Sequence, residues 1–250
     1  MNFTSIKQHN IEIKDNLKYW KTKPVLRKIY QQFYKLIAQQ LRQDIDGKIV
    51  EIGSGIGNLK LSIPESIRTD IFPNPWIDQV ENAYNLSFPD MSISNLILFD
   101  VWHHLEYPGT VLQEFYRVLV PGGRLILFEP AMSFLGFIVY GLFHHEPIKY
   151  TSAIKWWAPE DFNPGKAGYY AAQGNASRIF CSNKFNRLLS NWDRVLTKKI
   201  SSISYIASGG YNKPQLYPDK LLPGLMRIDK VCDFLPYLFA TRILVVLKKR

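Results

Sequence analysis

Residues 48–58, KIVEIGSGIGN, decide how this chain is read. Ile49, Val50 and Ile52 form a short β-branched run interrupted by the carboxylate of Glu51. Gly53, Gly55 and Gly57 follow at alternate positions before Leu59 and Leu61 resume an apolar pattern. The spacing predicts a buried strand, a tight turn and the start of a helix. Glycines this close together permit positive φ and let a ligand approach the main chain, so a nucleotide-like molecule is the expected occupant. The dinucleotide fingerprint G-x-G-x-x-G is not met: the third glycine comes one residue early, and Asn58 stands where its last Gly or Ala belongs. Glu51, two residues before the first glycine, repels a pyrophosphate and favours a ligand carrying positive charge.

Working outward, Ile67 to Phe72 reads as a second strand with Asp70 near its end, placed to accept hydrogen bonds from ribose hydroxyls beside the glycine turn. Pro73 and Pro75 break the chain, and Ile77 to Val80 makes a brief third strand. Asn82 and Ala83 fall where an amide meets the polar edge of an adenine; a plain turn role for Asn82 is the alternative. Asn95 to Val101, NLILFDV, is a continuous apolar run ending in an acid, as in a strand buried on both faces. Asp100 then sits at the C-terminal edge, where ligands bind in open parallel sheets. Trp102, His103, His104 and Leu105 follow. Gly109 to Leu119 is expected to be a helix, Pro121-Gly122-Gly123 a turn, and Arg124 to Phe128 the fifth strand, ending at Glu129-Pro130. Upstream, Pro24, Val25, Ile29, Phe33, Leu36, Ile37 and Leu41 predict an amphipathic helix over residues 24–43. Tyr19 and Trp20 before it either pack or fold over the ligand.

Taken together, residues 45–130 resemble a class I S-adenosylmethionine-dependent methyltransferase, most similar to the type 11 small-molecule group. VEIGSGIGN corresponds to that family's first motif, Asp70 to its ribose acid, LFDVWHHL to its fourth-strand motif and PGGRLILFEP to its fifth-strand motif. The resemblance implies an α/β fold, a Rossmann-like, doubly wound sheet of seven strands with a reversed last strand, and S-adenosylmethionine as cofactor. It places Gly53, Ser54 and Gly55 along the methionine part, Asp70 and Ile71 at the ribose, and Asn82 and Ala83 at the adenine, with Gly57 also among the cofactor-binding residues. The family more often has Asp at position 82 and Leu-Pro-Phe where this chain has Leu86-Ser87-Phe88. An acidic pocket of Glu51, Asp70 and Asp100 suits the cofactor's sulfonium and ammonium.

The 250 residues are enough for one large domain with insertions. Net charge is +10, unevenly spread: ten Lys/Arg face four Asp/Glu over residues 1–48, four face ten over 49–130, and seventeen face seven over 131–250. A basic periphery fits an anionic substrate, a membrane surface or nucleic acid, or is an ordinary solvated surface. The first residues lack the layout of a secretory signal. Cys181 and Cys232 share no metal or redox spacing, so a cytoplasmic location is expected and an iron–sulfur centre is not. The organisation expected is a helical segment over 1–44, a cofactor-binding core over 45–130, a lid insertion over 131–181, and completion of the sheet over 182–250 with a second insertion at 208–240. In that last part Asn183 to Trp192 reads as a helix, Val195 to Ile206 as a long strand, Thr241 to Leu247 as the final strand and 208–240 as a surface loop. Phe134 to Phe143 is half the length that spans a bilayer, and reads as an interfacial helix with peripheral membrane contact, as the wall of an apolar pocket, or as core.

Methyl transfer from a sulfonium needs the acceptor held in line and water excluded; a hydroxyl acceptor also profits from a base. His103 and His104 beside Asp100, and His144 and His145 in the lid, are the candidates. The paired histidines before Glu146 lack a third ligand at metal spacing, so no metal is expected. The reading is a methyltransferase acting on O, N or C of a small-molecule or lipid- or saccharide-linked acceptor. A nucleic-acid methyltransferase is the alternative, disfavoured because no Asn-Pro-Pro-Tyr-type motif follows the fourth strand, so no nucleic acid is expected as partner. A non-catalytic cofactor-binding scaffold is the other.

Overall fold

The computed structural model describes residues 3–144, 146–166 and 170–250. Seven strands form one sheet: β1 (Lys48–Ile52), β2 (Ile67–Asp70), β3 (Gln79–Val80), β4 (Ile93–Phe99), β5 (Leu119–Pro130), β6 (Trp192–Ser201) and β7 (Ala240–Lys249). Their order is β3-β2-β1-β4-β5-β7-β6, with β7 antiparallel to both neighbours and the pairs from β3 to β5 parallel. The reversed last strand follows the expectation.

Alternation along the central strands explains their apolar runs. Leu96 and Leu98 of β4, Leu125 and Leu127 of β5, and Ile243, Val245 and Leu247 of β7 fill one face together with Phe115, Trp102 and Phe180. Ile97, Ile126, Phe128, Leu244 and Val246 fill the other. Strands with period-two side chains and cover on both sides must be apolar at every position. The first layer of cover comes from α3 (Pro108–Val118). The second comes from α2 (Pro24–Ala38), which starts on Pro24 and buries Leu26, Ile29, Phe33 and Ile37 at helical spacing. It stops at Ala38, short of the expected residue 43. Before it runs α1 (Phe3–Thr22), a helix the sequence reading left unresolved, which packs on α2.

The segment between β5 and β6 carries α4 (Phe134–Leu142) and α5 (Asn175–Phe180); the one between β6 and β7 carries α6 (Ile203–Ala207), α7 (Leu222–Cys232) and α8 (Pro236–Phe239). Pro130 of β5 pairs with Arg242, and Ser201 of β6 with Ala240, so both segments leave from the same edge of the sheet. Four expectations are corrected. Residues 183–191 form turns, not a helix, and Trp192 already begins β6: Phe185, Leu189 and Trp192 pack on the core while Leu188 is exposed. The long strand ends at Ser201, whose N–H donates to Asp233 Oδ1 at 2.6 Å while Ser202 and Thr241 hydroxyls bond at 2.6 Å, and the chain turns into α6. Pro121-Gly122-Gly123 lies within β5 rather than before it. Residues 208–240 are largely helical rather than a surface loop. Among the described residues no helix is long and apolar enough to cross a membrane.

Candidate functional site

The glycine turn leaves β1 at the middle of the sheet edge. Gly53, Gly55 and Gly57 have φ of +70°, +54° and +67°, the left-handed region where glycine avoids the Cβ clash. A Cβ on Gly53 would lie 2.4 Å from Val101 Cγ2, and one on Gly57 2.7 Å from Arg68 Cδ, whereas one on Gly55 meets only Ile13 Cδ1 at 3.9 Å. The space beside the turn therefore opens at Gly55, under Ile13 of α1. Ser54 pins the loop to β2: its N–H donates to Thr69 O at 2.8 Å and its hydroxyl accepts from Thr69 N–H at 3.0 Å. Beyond Gly57 the chain makes a single 3₁₀ turn over Asn58–Leu61 rather than a long helix, so no helix N-terminus is offered to a phosphate.

Asp70 is buried and turned toward this loop, with Oδ2 accepting from Gly55 N–H at 2.9 Å and Oδ1 from Phe72 N–H at 3.3 Å. Ile71 is half-buried beside it. Glu51 is buried with Oε2 lacking a hydrogen-bond partner. Burial, reinforced by the charge of Asp70 and opposed by Ser54 and Arg68, pushes its pKa up to about 8. Asn82 behaves as a turn residue: its Oδ1 accepts from Tyr84 N–H at 3.0 Å and its Nδ2 donates to Pro164 O at 2.9 Å, tying the 131–181 segment down. Ala83 is buried in the core.

Asp100 departs from the expected acidic ring. It sits at φ +57°, just past β4, and its carboxylate is paired with the guanidinium of Arg242 on β7. Arg242 is buried, with its guanidinium 4.7 Å from the Tyr205 ring centroid. Sequence reasoning missed this arginine, whose partner lies 142 residues away. Of the three expected acids, Asp100 is thus paired off and Glu51 is largely protonated at neutral pH.

The histidines gather beyond Asp100. Glu129, fully buried at the end of β5, accepts at Oε1 from the N–H groups of Val101 and Trp102, both at 2.7 Å, and at Oε2 from His103 Nδ1 at 2.7 Å. His103 Nε2 lies 3.3 Å from Glu146 Oε2. His104 donates from Nδ1 to the Tyr170 carbonyl at 2.9 Å and places Nε2 3.4 Å from Glu146 Oε1. His144 Nδ1 is 3.8 Å from Glu146 Oε2, and Gln173 Nε2 donates to the same carboxylate. Burial opposes charge on His103, but Glu129 and then Glu146 outweigh it and push its pKa up to about 10. Burial, with the charge of His103, brings His104 down to about 4. His145 lies outside the described residues. Glu129 and Gln173 escaped the sequence reading, although Glu129 is an acid at a strand's C-terminal end, as Asp100 is.

A sheet of this order with a reversed last strand, a positive-φ glycine turn after its central strand and an acid at the end of the next define the Rossmann-like methyltransferase class of fold. Residues 50–127 match the family described as Methyltransferase domain. Over those residues, about a third of the chain, the sequence is similar to methyltransferase domains. A demethylmenaquinone methyltransferase of Symbiobacterium thermophilum is 31% identical over 102 residues, 39% of each chain, so the match spans well under half of that relative's length. An S-adenosylmethionine-dependent methyltransferase of Thermotoga maritima shares the fold with a TM-score of 0.55 at 15% identity, over 93% of this chain and 95% of that one. The geranyl diphosphate C-methyltransferase of Streptomyces coelicolor, solved with Mg2+, geranyl diphosphate and S-adenosyl-L-homocysteine, does so at 0.50 with 9% identity, over 88% and 77%. At such identities the likeness of structure speaks for the fold alone.

Proposed function

We propose that this protein moves a methyl group from S-adenosylmethionine to an O, N or C atom of a small-molecule or lipid- or saccharide-linked acceptor. The observation that carries the reading is the open turn at Gly55 facing the Asp70 carboxylate. The orphaned Glu51 Oε2 beside it suits a ligand with a cationic end, so the residues present fit the cofactor. Gly53, Ser54 and Gly55 would hold its methionine part, with Gly57 closing the turn, and Asp70 and Ile71 the ribose; Asn82, whose amide is engaged by Tyr84 and Pro164, and Ala83, in the core, would frame the adenine side without a free amide to offer it. When bound, the cofactor supplies a methyl group on an electron-poor sulfur. The chain's own work is to orient and to exclude water, and orientation alone contributes up to roughly 7–11 kcal/mol. The 131–181 segment acts as the lid, held by Asn82 to Pro164 O and by His104 to Tyr170 O. The histidines and Glu146 supply the polar groups on the acceptor side.

S-adenosylhomocysteine, which keeps the cofactor's ammonium, tests this by calorimetry on the full chain. Glu51 holds a proton below about pH 8 in the free protein, and a cationic ligand favours the carboxylate. Binding then releases that proton, so affinity rises with pH by up to about tenfold per unit, and levels off above about 8. Glu51→Gln flattens the profile. Absence of binding at every pH removes the reading.

A lipid-linked acceptor is favoured by the lid's outer face. α4 exposes Phe134, Phe137 and Leu142, with Phe143 exposed just after it, and packs on α8, which exposes Tyr237 and Leu238. Lys213 Nζ stands 5.2 Å from the Phe143 ring centroid and Lys199 Nζ 4.0 Å from that of Tyr237, so cations border the apolar face. Apolar side chains ringed by lysines match an anionic lipid surface. The protein should co-sediment with vesicles of equal phosphatidylcholine and phosphatidylglycerol but not with phosphatidylcholine alone. Each buried Phe or Leu contributes about 1.5–3 kcal/mol, so Phe137→Ser with Leu142→Ser should cut partitioning at least about tenfold. Unchanged partitioning of that variant would count against the face.

A further inference from the structure

Sequence spacing set a metal aside because His144, His145 and Glu146 lacked a further ligand. Folding brings one loop to the other. His103 and His104, from the end of β4, and Glu146, from the lid, each offer a ligand atom, and these atoms all lie within 4.8 Å of one another. We propose that His103, His104 and Glu146 form a binding site for a divalent transition-metal ion of the Zn2+ class.

Two observations beyond the grouping point that way. The first is the separation of the donor atoms. Glu146 Oε2 stands 3.3 Å from His103 Nε2, and Glu146 Oε1 stands 3.4 Å from His104 Nε2. A charge-assisted hydrogen bond between imidazolium and carboxylate is typically about 2.7–2.9 Å, which is what the same His103 ring makes to Glu129 at 2.7 Å. The longer values, one from each carboxylate oxygen, are close to the separation of about 3.3 Å between neighbouring donors around an ion with bonds of about 2.0–2.1 Å. The second is the far side of each ring. A ligating histidine almost always gives its other N–H to a carboxylate or a backbone carbonyl, which fixes the tautomer and aims the free nitrogen. His103 Nδ1 is held by Glu129, itself anchored by two main-chain N–H groups, and His104 Nδ1 by the Tyr170 carbonyl. Both rings are thereby oriented with Nε2 toward Glu146. Gln173, buried with Oε1 unpartnered, bonds the Glu146 carboxylate through Nε2 and supports it from behind.

Two imidazoles and one carboxylate are the donor set of three-ligand sites that keep a fourth position open. The cluster begins two residues after Val101, the side chain that a Cβ on Gly53 would strike, so it adjoins the glycine turn. On the methyl-transfer reading, on which this part alone rests, the open position takes an oxygen of the acceptor.

Full-length protein stripped with a chelator, then dialysed against Zn2+ and analysed for metal, should retain one equivalent. Co2+ in its place should show the intense visible bands of tetrahedral coordination. His104→Gln, at a half-buried position, and Glu146→Gln should each lose that equivalent. Glu129→Gln should weaken it by about 10–100-fold by freeing the His103 ring. Near-ultraviolet circular dichroism identifies variants that fold. Folded wild-type protein that takes up no Zn2+ or Co2+, or uptake unchanged in the His104→Gln/Glu146→Gln double variant, overturns the site. S-adenosylhomocysteine titrated into the same samples separates the two proposals: nucleoside binding without metal uptake removes only the metal, and metal uptake without nucleoside binding removes only the methyl-transfer reading.

Discussion

Gly53→Ala is expected to weaken S-adenosylhomocysteine binding by roughly 10–100-fold while leaving most of the fold intact. Two costs combine at this position. An alanine held at φ +70° carries about 1–2 kcal/mol of left-handed strain. Its Cβ would also stand 2.4 Å from Val101 Cγ2, and a forced methyl in a filled space costs about 1–3 kcal/mol. Val101 is a short, branched side chain that cannot swing away, so the relief comes from the turn, which must move off the position where it meets Asp70. Each displacement worth 1.4 kcal/mol is about a tenfold loss in affinity. Gly55→Ala separates the two costs, because its φ is +54° but its Cβ meets only Ile13 Cδ1 at 3.9 Å. Val101→Ala in the Gly53→Ala background should recover the steric part and not the backbone part. Calorimetry on wild type, these three variants and Val101→Ala alone completes the cycle, and Gly53→Ala binding as tightly as wild type would show that the nucleoside does not use this turn.

The turn itself was legible because its information is local: three glycines, an acid before them and an acid ending the next strand all lie within Glu51–Asp70. The central strands were legible for a different reason. Val50, Leu96 to Leu98, Leu125 to Phe128 and Ile243 to Leu247 are covered on both faces, so burial writes itself into every position. Where cover is partial the pattern misleads. Phe185, Leu188, Leu189 and Trp192 have helical spacing, yet Leu188 is exposed, the chain through Asn191 is a series of turns and Trp192 begins β6. The reading also overestimated the acidic ring around the cofactor, since Asp100 looked free for want of any nearby cation in sequence. Its partner comes from β7, and the partners of His103 come from β5 and the lid. Polar networks of this kind join residues whose only relation is the topology of the sheet, and no spacing rule reports them.

Arg242→Met is the second large effect, a loss of about 3 kcal/mol of folding stability. In the native protein the Arg242 guanidinium is buried beneath Tyr205 and beside Phe33, Phe99 and Phe128, and neutralises Asp100. Removing one member of a buried pair leaves the other charged and unpaired, which costs about 3–5 kcal/mol; Asp100 keeps a solvent edge, 29% of its side chain, so the lower end applies. Methionine fills much of the arginine's volume, which separates loss of charge from loss of packing. Asp100→Asn in the Arg242→Met background should therefore return most of the stability, because two neutral side chains replace two charges. Acid supplies a second readout. Burial already raises the Asp100 carboxyl above its ordinary pKa, with Arg242 opposing and Glu129 adding to the rise. Without the arginine the folded pKa rises further, so the variant is penalised at neutral pH, where the unfolded chain is ionised, and the penalty disappears as pH falls toward the unfolded value of about 3.9. Urea unfolding of wild type, Arg242→Met and the double variant at neutral and acid pH measures all of this. A single variant with the same deficit at both pH values, or a double variant no more stable than the single, would mean that Arg242 acts through its contacts with the aromatic rings and not through its charge.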